Sequence, residues 1–240
     1  MARPRTKQDL NRMSLQVKLA EKVAIALSTV ADGDMRNAEK SGDVLAAVNK
    51  NVAKFLVENG FNIDRTVLVR LDYDKDDFTQ YKTVDKSWVG KGMVDSEAVE
   101  VADTLATTEK NFGLFLPLAD CLGAVIYDTK NEVLMVSHLG RHNTEQFGAK
   151  KSIEYLMENF GSDPADILIW LSPSAGKENY PLFAFDNRSL REVNVEQFVE
   201  AGIKPENITG DDADTTTDDR YYSFSNNQTD QRFAIVAKMV

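Results

Sequence analysis

Apolar positions along this chain fall into short runs of two kinds, alternating between strand-like and helix-like spacing. Val23-Ala24-Ile25-Ala26-Leu27-Ser28 is an unbroken run of strand length, ending in the turn-rich stretch Ala31-Asp32-Gly33-Asp34 with Asn37 just beyond. From Asp43 to Asn59 the residues Leu45, Val48, Val52, Phe55 and Leu56 share one helical face, and Gly60 stands where a left-handed cap is expected. Thr66 to Leu71 predicts a strand that runs into the acidic segment Asp72 to Asp77. The densest tract, Phe112 to Tyr127, is apolar at both parities and predicts one strand covered on both faces. Asp128 to Asn131 then makes a turn, and Glu132 to His138 the return strand of a hairpin. A helix is expected from Thr144 to Phe160, with Ile153, Leu156, Met157 and Phe160 on its apolar face, before Gly161 and Pro164 stop it. The strand from Asp166 to Leu171, the loop Ser172-Pro173-Ser174-Ala175-Gly176, a helix from Glu192 to Ala201 and a strand from Arg232 to Met239 follow. Without a steady βαβ rhythm or an internal repeat, the pattern favours a mixed sheet in an α+β arrangement over a doubly wound one.

Composition narrows the function classes. With 240 residues, 42% of them hydrophobic, the chain can bury a sizeable core. Residues 1–20 carry Arg3, Arg5, Lys7, Arg12 and Lys18 against Asp9 alone and read as a flexible basic leader, with 21–240 a single domain. A net charge of −10 speaks against nucleic-acid or membrane-surface partners, which need a basic face. No apolar run reaches the ~18 residues of a membrane span, and no signal-peptide core follows the basic start. Cys121 is the only cysteine, which suits a reducing cytoplasm. His138 and His142 are the only histidines.

That scarcity concentrates the chemistry in one hairpin. A symmetric turn at 128–131 would set Cys121 directly opposite His138, with Cβ atoms about 4.5–5.5 Å apart. That separation suits a sulfur and an imidazole nitrogen sharing one zinc ion, at roughly 2.3 Å and about 2.0–2.1 Å; the plain alternative is a small buried cysteine beside a hydrogen-bonded histidine. Gly140-Arg141 leads into a helix start, where an arginine can hold a phosphate or carboxylate, or simply sit on the surface of a capping loop. Asp72, Asp74 and Asp76 mimic the first ligands of an EF-hand loop, but Asp77 replaces its glycine and Thr83 its glutamate. The acidic run Asp211 to Asp219 reads as a solvated turn. No nucleophile elbow, P-loop or dinucleotide fingerprint occurs.

Ala119-Asp120-Cys121-Leu122, followed seventeen residues after the cysteine by His138-Leu139-Gly140-Arg141-His142-Asn143, resembles the A-D-C-L and H-A-G-W-R-G motifs of the YfiH-like family, the laccase-domain or polyphenol oxidase proteins. Weaker likenesses flank this pair. Ala102 to Thr107 resembles an A-D-A-L-V-T segment, and Ser172 to Gly176 with Tyr180 a G-P-A-I-G…Y-E loop. Tyr222-Ser223-Phe224…Arg232 resembles an F-S-Y…G-R ending, and Ser28 and Asn37 fall where the family has a strand-end serine and a downstream asparagine. The chain departs from the family where Arg70-Leu71-Asp72-Tyr73 replaces Q-V-H-G, which sets Asp72 in the place of a metal histidine.

The resemblance implies an α+β fold with a mixed β-sandwich core flanked by helices. It implies a zinc-dependent purine nucleoside phosphorylase, one ion per chain, using inorganic phosphate as co-substrate and also deaminating adenosine. Cys121, His138 and Asp72 would hold the metal; Arg141 and His142 would serve phosphate binding or proton transfer; Ser28, Asn37 and Ser172 would face the nucleoside. The alternative is a catalytically silent descendant that binds a nucleoside or a partner. Multicopper oxidation needs several coppers held mostly by imidazoles, more than two histidines and one cysteine supply.

Overall fold

Residues 15–38, 40–93 and 101–240 are described by the structure, a computed structural model. Most of the expected leader, with Arg3, Arg5, Lys7 and Arg12, lies outside the described residues. Its last part does not behave as a leader. β1 (Leu15–Leu19) pairs antiparallel with β2 (Val23–Leu27), and Leu19 is buried.

Eleven strands among the described residues form two mixed sheets. One runs β1-β2-β11-β6-β3, using β3 (Thr66–Leu68), β6 (Gly113–Leu118) and β11 (Phe233–Met239). The other runs β10-β9-β7-β8-β5-β4, from β4 (Tyr81–Thr83), β5 (Thr104–Thr107), β7 (Leu122–Asp128), β8 (Val133–Leu139), β9 (Ile167–Leu171) and β10 (Ile208–Gly210). Side-chain alternation explains the layering. Leu114, Leu116 and Leu118 face the second sheet and pack with Val125, Tyr127 and Val136, while Phe115 points the other way onto Val48, Val52 and Phe55 of α1 (Gly42–Glu58). Ala124 and Ile126 turn outward onto Ile153 and Leu156 of α3 (Gly148–Phe160) and Val193 and Phe198 of α4 (Leu190–Glu200). Both sheets are therefore covered on both faces. No helix among the described residues is long and apolar enough to cross a membrane.

The structure corrects the sequence-based picture in four places. The tract from Phe112 to Tyr127 is two strands, β6 and β7, lying in different sheets. The chain changes sheet at Asp120, whose φ of 69° is left-handed, a conformation that aspartate tolerates better than most residues. The buried Asp120 carboxylate accepts from Thr215 Oγ1 at 2.8 Å and from the Ser225 N–H at 2.6 Å, which fixes this corner. The helix expected from Thr144 is broken: α2 (Arg141–Glu145) ends before Phe147, left-handed at φ 63°, and α3 restarts at Gly148. Met157, expected on the apolar face of that helix, is exposed. Thirdly, the strand expected to run to Leu71 stops at Leu68, with a single bridge from Arg70 to Val101 beyond it. Fourthly, the run 211–219 is not a solvated turn: Asp214 accepts from the Gly176 N–H at 2.9 Å, and Asp218 pairs with Arg220.

Candidate functional site

The β7–β8 register decides how Cys121 and His138 meet. Gly123, not Cys121, is the cross-strand partner of His138, and Asp128 pairs with Val133. The turn is thus residues 129–132 rather than 128–131. The Asp128 carboxylate builds it by accepting from the Lys130 and Asn131 N–H groups, both at 2.9 Å, and from Asn131 Nδ2 at 2.8 Å. Relative to the expected pairing, the register is displaced by two residues. Because side chains alternate with period two, Cys121 stays on the face of His138. It falls at the level of Gly140, and Gly140 makes the approach possible. A Cβ there would lie 2.8 Å from His138 Cε1 and 3.1 Å from Cys121 Sγ.

His138 is buried, and neither of its ring nitrogens has a hydrogen-bond partner among the described residues. Burial, helped by the Lys75 ammonium, pushes its imidazole down to about 3, while burial and the neighbouring Asp120 carboxylate push the Cys121 thiol up to about 12. Near neutral pH the site therefore presents an uncharged imidazole and a thiol. Orphaned buried polar atoms are uncommon and call for a ligand.

Zinc fits two of these donors, a sulfur and an imidazole flanking one glycine. It does not find a closed set. A catalytic zinc takes three protein ligands, and among the described residues no three His, Cys, Asp or Glu side chains converge on one point. Asp72 lines the same cavity as Cys121 and His138, but its Oδ1 accepts from the Asp74 N–H at 2.9 Å. His142 stacks on Phe78, with ring centroids 4.7 Å apart.

Two cavities meet at this pair, sharing Tyr73, Cys121 and His138. One, of about 350 Å³, is walled by aromatic rings: Tyr73, Phe78, Tyr180 and Phe224, with His142 beside them. Arg141 also lines it, its guanidinium 4.5 Å from the Tyr180 ring centroid. The other, of about 310 Å³, is lined by Arg36, Asn37, Arg70 and Arg232 together with Asp72 and Asp74. Residues 72–80 stand between them. Lys75 pairs with the buried Asp103 at 3.1 Å, and Gln146 bonds both Asp76 and Phe78. So anchored, this segment holds the Tyr73 ring edge-on to His138 at 6.3 Å.

The remaining expected site residues divide. Asn37 lines the arginine-walled cavity and donates to the Gly92 carbonyl at 2.8 Å. Ser28 and Ser172 are fully buried, and their hydroxyls are engaged by backbone. Ser28 Oγ accepts from the Ala234 N–H, and Ser172 Oγ accepts from the Gly123 N–H and donates to the Pro173 carbonyl. Both hold strands in register rather than lining either cavity. Sequence reasoning missed Arg36, Arg70, Tyr73 and Phe78. Arg232 carried a signal, as the arginine of the F-S-Y…G-R likeness.

Residues 28–184 match a family described as multi-copper polyphenol oxidoreductase laccase. A purine nucleoside phosphorylase of Corynebacterium glutamicum is 30% identical over 92 residues, 38% of this chain and 37% of that protein. Purine nucleoside phosphorylase YlmD of Bacillus subtilis is 31% identical over 115 residues, 48% of this chain and 41% of that protein. The matched stretches thus span less than half the length of these curated relatives. The crystal structure of YlmD from Geobacillus stearothermophilus is similar with a TM-score of 0.85 at 18% identity, over 95% of this chain and 96% of that one. The hypothetical protein YfiH of Bacillus licheniformis gives a TM-score of 0.81 at 18% identity, over 91% and 93%. At such identities the likeness establishes the fold, an α+β sandwich of two mixed sheets.

Proposed function

The chain belongs to the family described as multi-copper polyphenol oxidoreductase laccase, and from that premise we propose that it acts on purine nucleosides as a phosphorylase. One observation carries the reading: a cavity walled by aromatic rings opens onto Cys121 and the unpartnered His138 imidazole. A flat heteroaromatic base is the ligand that stacks on such walls, and Arg141 over Tyr180 extends the stacking surface. The relatives named purine nucleoside phosphorylase support the same chemistry. Two histidines and one cysteine in this chain favour it over multicopper oxidation.

In phosphorolysis a phosphate oxygen forms a bond to the anomeric carbon as the glycosidic C–N bond breaks. The electron pair leaves with the purine, which takes up a proton, and ribose 1-phosphate remains. Walls that fix the base leave the anomeric carbon at the junction of the two cavities, so the chain's contribution is positioning. The His142 imidazole, on the aromatic wall and half-exposed, is the group to protonate the leaving base. In this reading Cys121 and His138 would be the ligands of a zinc ion, and Asp72, which lines the same cavity, would be the third donor if its loop turned toward them. When bound, the ion supplies the activated water that adenosine deamination requires. The single cysteine is consistent with a cytoplasmic setting.

Among the described residues no third donor converges with Cys121 and His138, and on that observation we keep a second reading, a silent descendant that binds nucleosides without turning them over. One experiment separates the two. Adenosine, inosine, guanosine and methylthioadenosine are each incubated with the purified chain, with and without inorganic phosphate, while bound zinc is counted in wild type, Cys121→Ala and Asp72→Ala. Phosphate-dependent release of base and ribose 1-phosphate is expected, with zinc lost from Cys121→Ala. Free ribose at an unchanged rate without phosphate would mean hydrolysis, and nucleoside binding without turnover would establish the silent descendant.

A further inference from the structure

Aromatic walls account for a flat base, but not for the charge set among them. Of the described side chains lining the aromatic cavity, Arg141 is the one with a fixed charge, and no aspartate or glutamate lines it. In a chain with 38 acidic residues against 28 basic ones, a cavity lined by a cation and no acid runs against the composition. A neutral nucleoside has no use for that imbalance; an anionic ligand does.

Arg141 is held without being neutralised. Its guanidinium carbon lies 4.5 Å from the Tyr180 ring centroid and 5.9 Å from that of Phe183, so its neighbours are two rings rather than a carboxylate. Its Nε is buried and has no hydrogen-bond partner among the described residues. Acids beside the lining residues are engaged elsewhere. The Asp120 carboxylate accepts from Thr215 Oγ1 and the Ser225 N–H, and the Glu145 carboxylate lies 3.9 Å from His142 Nδ1. A guanidinium packed on rings keeps its forked N–H donors for an oxyanion, the planar group they match best.

We propose that the ligand of the aromatic cavity is a purine nucleoside that itself carries a phosphate ester, with Arg141 as the partner of that phosphate. Tyr180 both walls the cavity and carries the guanidinium, so the surface for the base and the cation for the anion belong to one chamber. A phosphate attached to the nucleoside reaches the cation as an intramolecular second contact once the base has stacked. The substrate class thereby narrows from a neutral nucleoside to a nucleoside monophosphate, and Arg141 serves the substrate's own phosphate rather than the free phosphate that the sequence suggested for it. That the rings receive a purine rests on the phosphorylase reading; the anion contact at Arg141 does not.

Isothermal titration of the full chain with adenosine 5′-monophosphate, adenosine and inorganic phosphate, each alone, tests this. Wild type is expected to bind the nucleotide about tenfold more tightly than adenosine, the worth of one hydrogen-bonded charge contact. In Arg141→Gln the ratio of these two affinities is expected to fall close to unity, whatever the change in either alone, and in Arg141→Lys to keep part of its value. Arg188→Gln, which removes a charge paired with Glu196, is expected to keep the wild-type ratio. Circular dichroism and thermal melting confirm that each variant is folded. Wild type that binds nucleotide and nucleoside equally, or a ratio unchanged in Arg141→Gln, overturns the proposal. So does inorganic phosphate bound through Arg141 without any preference for the nucleotide, because the anion is then the free one. A nucleotide preference that depends on Arg141, without phosphate-dependent release of base from any nucleoside, upholds the site and removes only the phosphorylase reading. Phosphate-dependent cleavage of adenosine that the nucleotide does not inhibit does the reverse.

Discussion

Gly140 shows how much rests on one missing methyl group. Its α-hydrogen faces the space where the His138 ring and the Cys121 sulfur converge, so an alanine would put its Cβ 2.8 Å from His138 Cε1 and 3.1 Å from Cys121 Sγ. His138 is buried, so it has little room to withdraw. Gly140→Ala is expected to lower stability by about 1–3 kcal/mol, the usual cost of overpacking, and to spread the two side chains apart. Urea denaturation together with the rate of thiol labelling at Cys121 checks it. Wild-type values in both would mean that the pair does not converge on this glycine.

The hairpin is the element that sets the site. Asp128 holds the 129–132 turn, and the turn fixes the register that keeps Cys121 and His138 on one face. Burial of Asp128 works to raise its carboxyl, but its polar surroundings, with hydrogen bonds from Asn131 and Lys130, outweigh this and hold it below the usual range. A carboxyl that is more acidic in the folded state than unfolded adds stability above the unfolded value of about 3.9. That stability is lost as pH falls through the folded value. Asp128→Asn keeps an acceptor and loses the charge, so below about pH 4 the stability gap between wild type and this variant should close. Asp128→Ala, which leaves the turn N–H groups unpaired, should cost on the order of 1–3 kcal/mol at neutral pH. Acid titrations of stability for the three proteins measure both effects. A gap that widens toward low pH would reverse the sign and exclude the carboxylate as the turn's clamp.

At the scale of the whole molecule, two sheets packed face to face carry helices on their outer faces, and the two cavities open where the chain crosses between the sheets at Asp120. The aromatic residues therefore differ sharply in what they contribute to the core. Phe115 is 1% exposed between the first sheet and α1, whereas Phe183 is 74% exposed with its ring 5.9 Å from the Arg141 guanidinium. Phe115→Ala should cost about 3–5 kcal/mol, and Phe183→Ala should stay within roughly 0.5 kcal/mol of wild type. Denaturant midpoints decide it, and equal losses would mean that α1 does not cover the first sheet.

Local chemistry made much of this legible in advance. Period-two and period-3.6 patterns located most strands and helices, because alternation and amphipathic spacing are properties of neighbouring residues. The cysteine–histidine pair was visible because the chain has so few such residues and both lie on one hairpin. The strand break at Asp120 was not legible, since an unbroken apolar run looks the same whether it stays in one sheet or crosses to another. Nor was the register, because the Asp128 carboxylate at the end of β7 holds the turn one residue further along the chain than the sequence suggested. Ser28 and Ser172 looked like ligand groups by position, yet their hydroxyls satisfy backbone N–H groups that burial would otherwise leave unpaired. The arginine-lined cavity is the clearest product of tertiary structure alone. The Asp34 carboxylate accepts from the backbone N–H groups of Arg36 and of Arg232, 198 residues away, and no local pattern reports that one carboxylate will hold these two backbones together. Periodicity, glycines and rare side chains determined the elements and the chemistry available, while the folded sandwich decided which of those side chains share a wall.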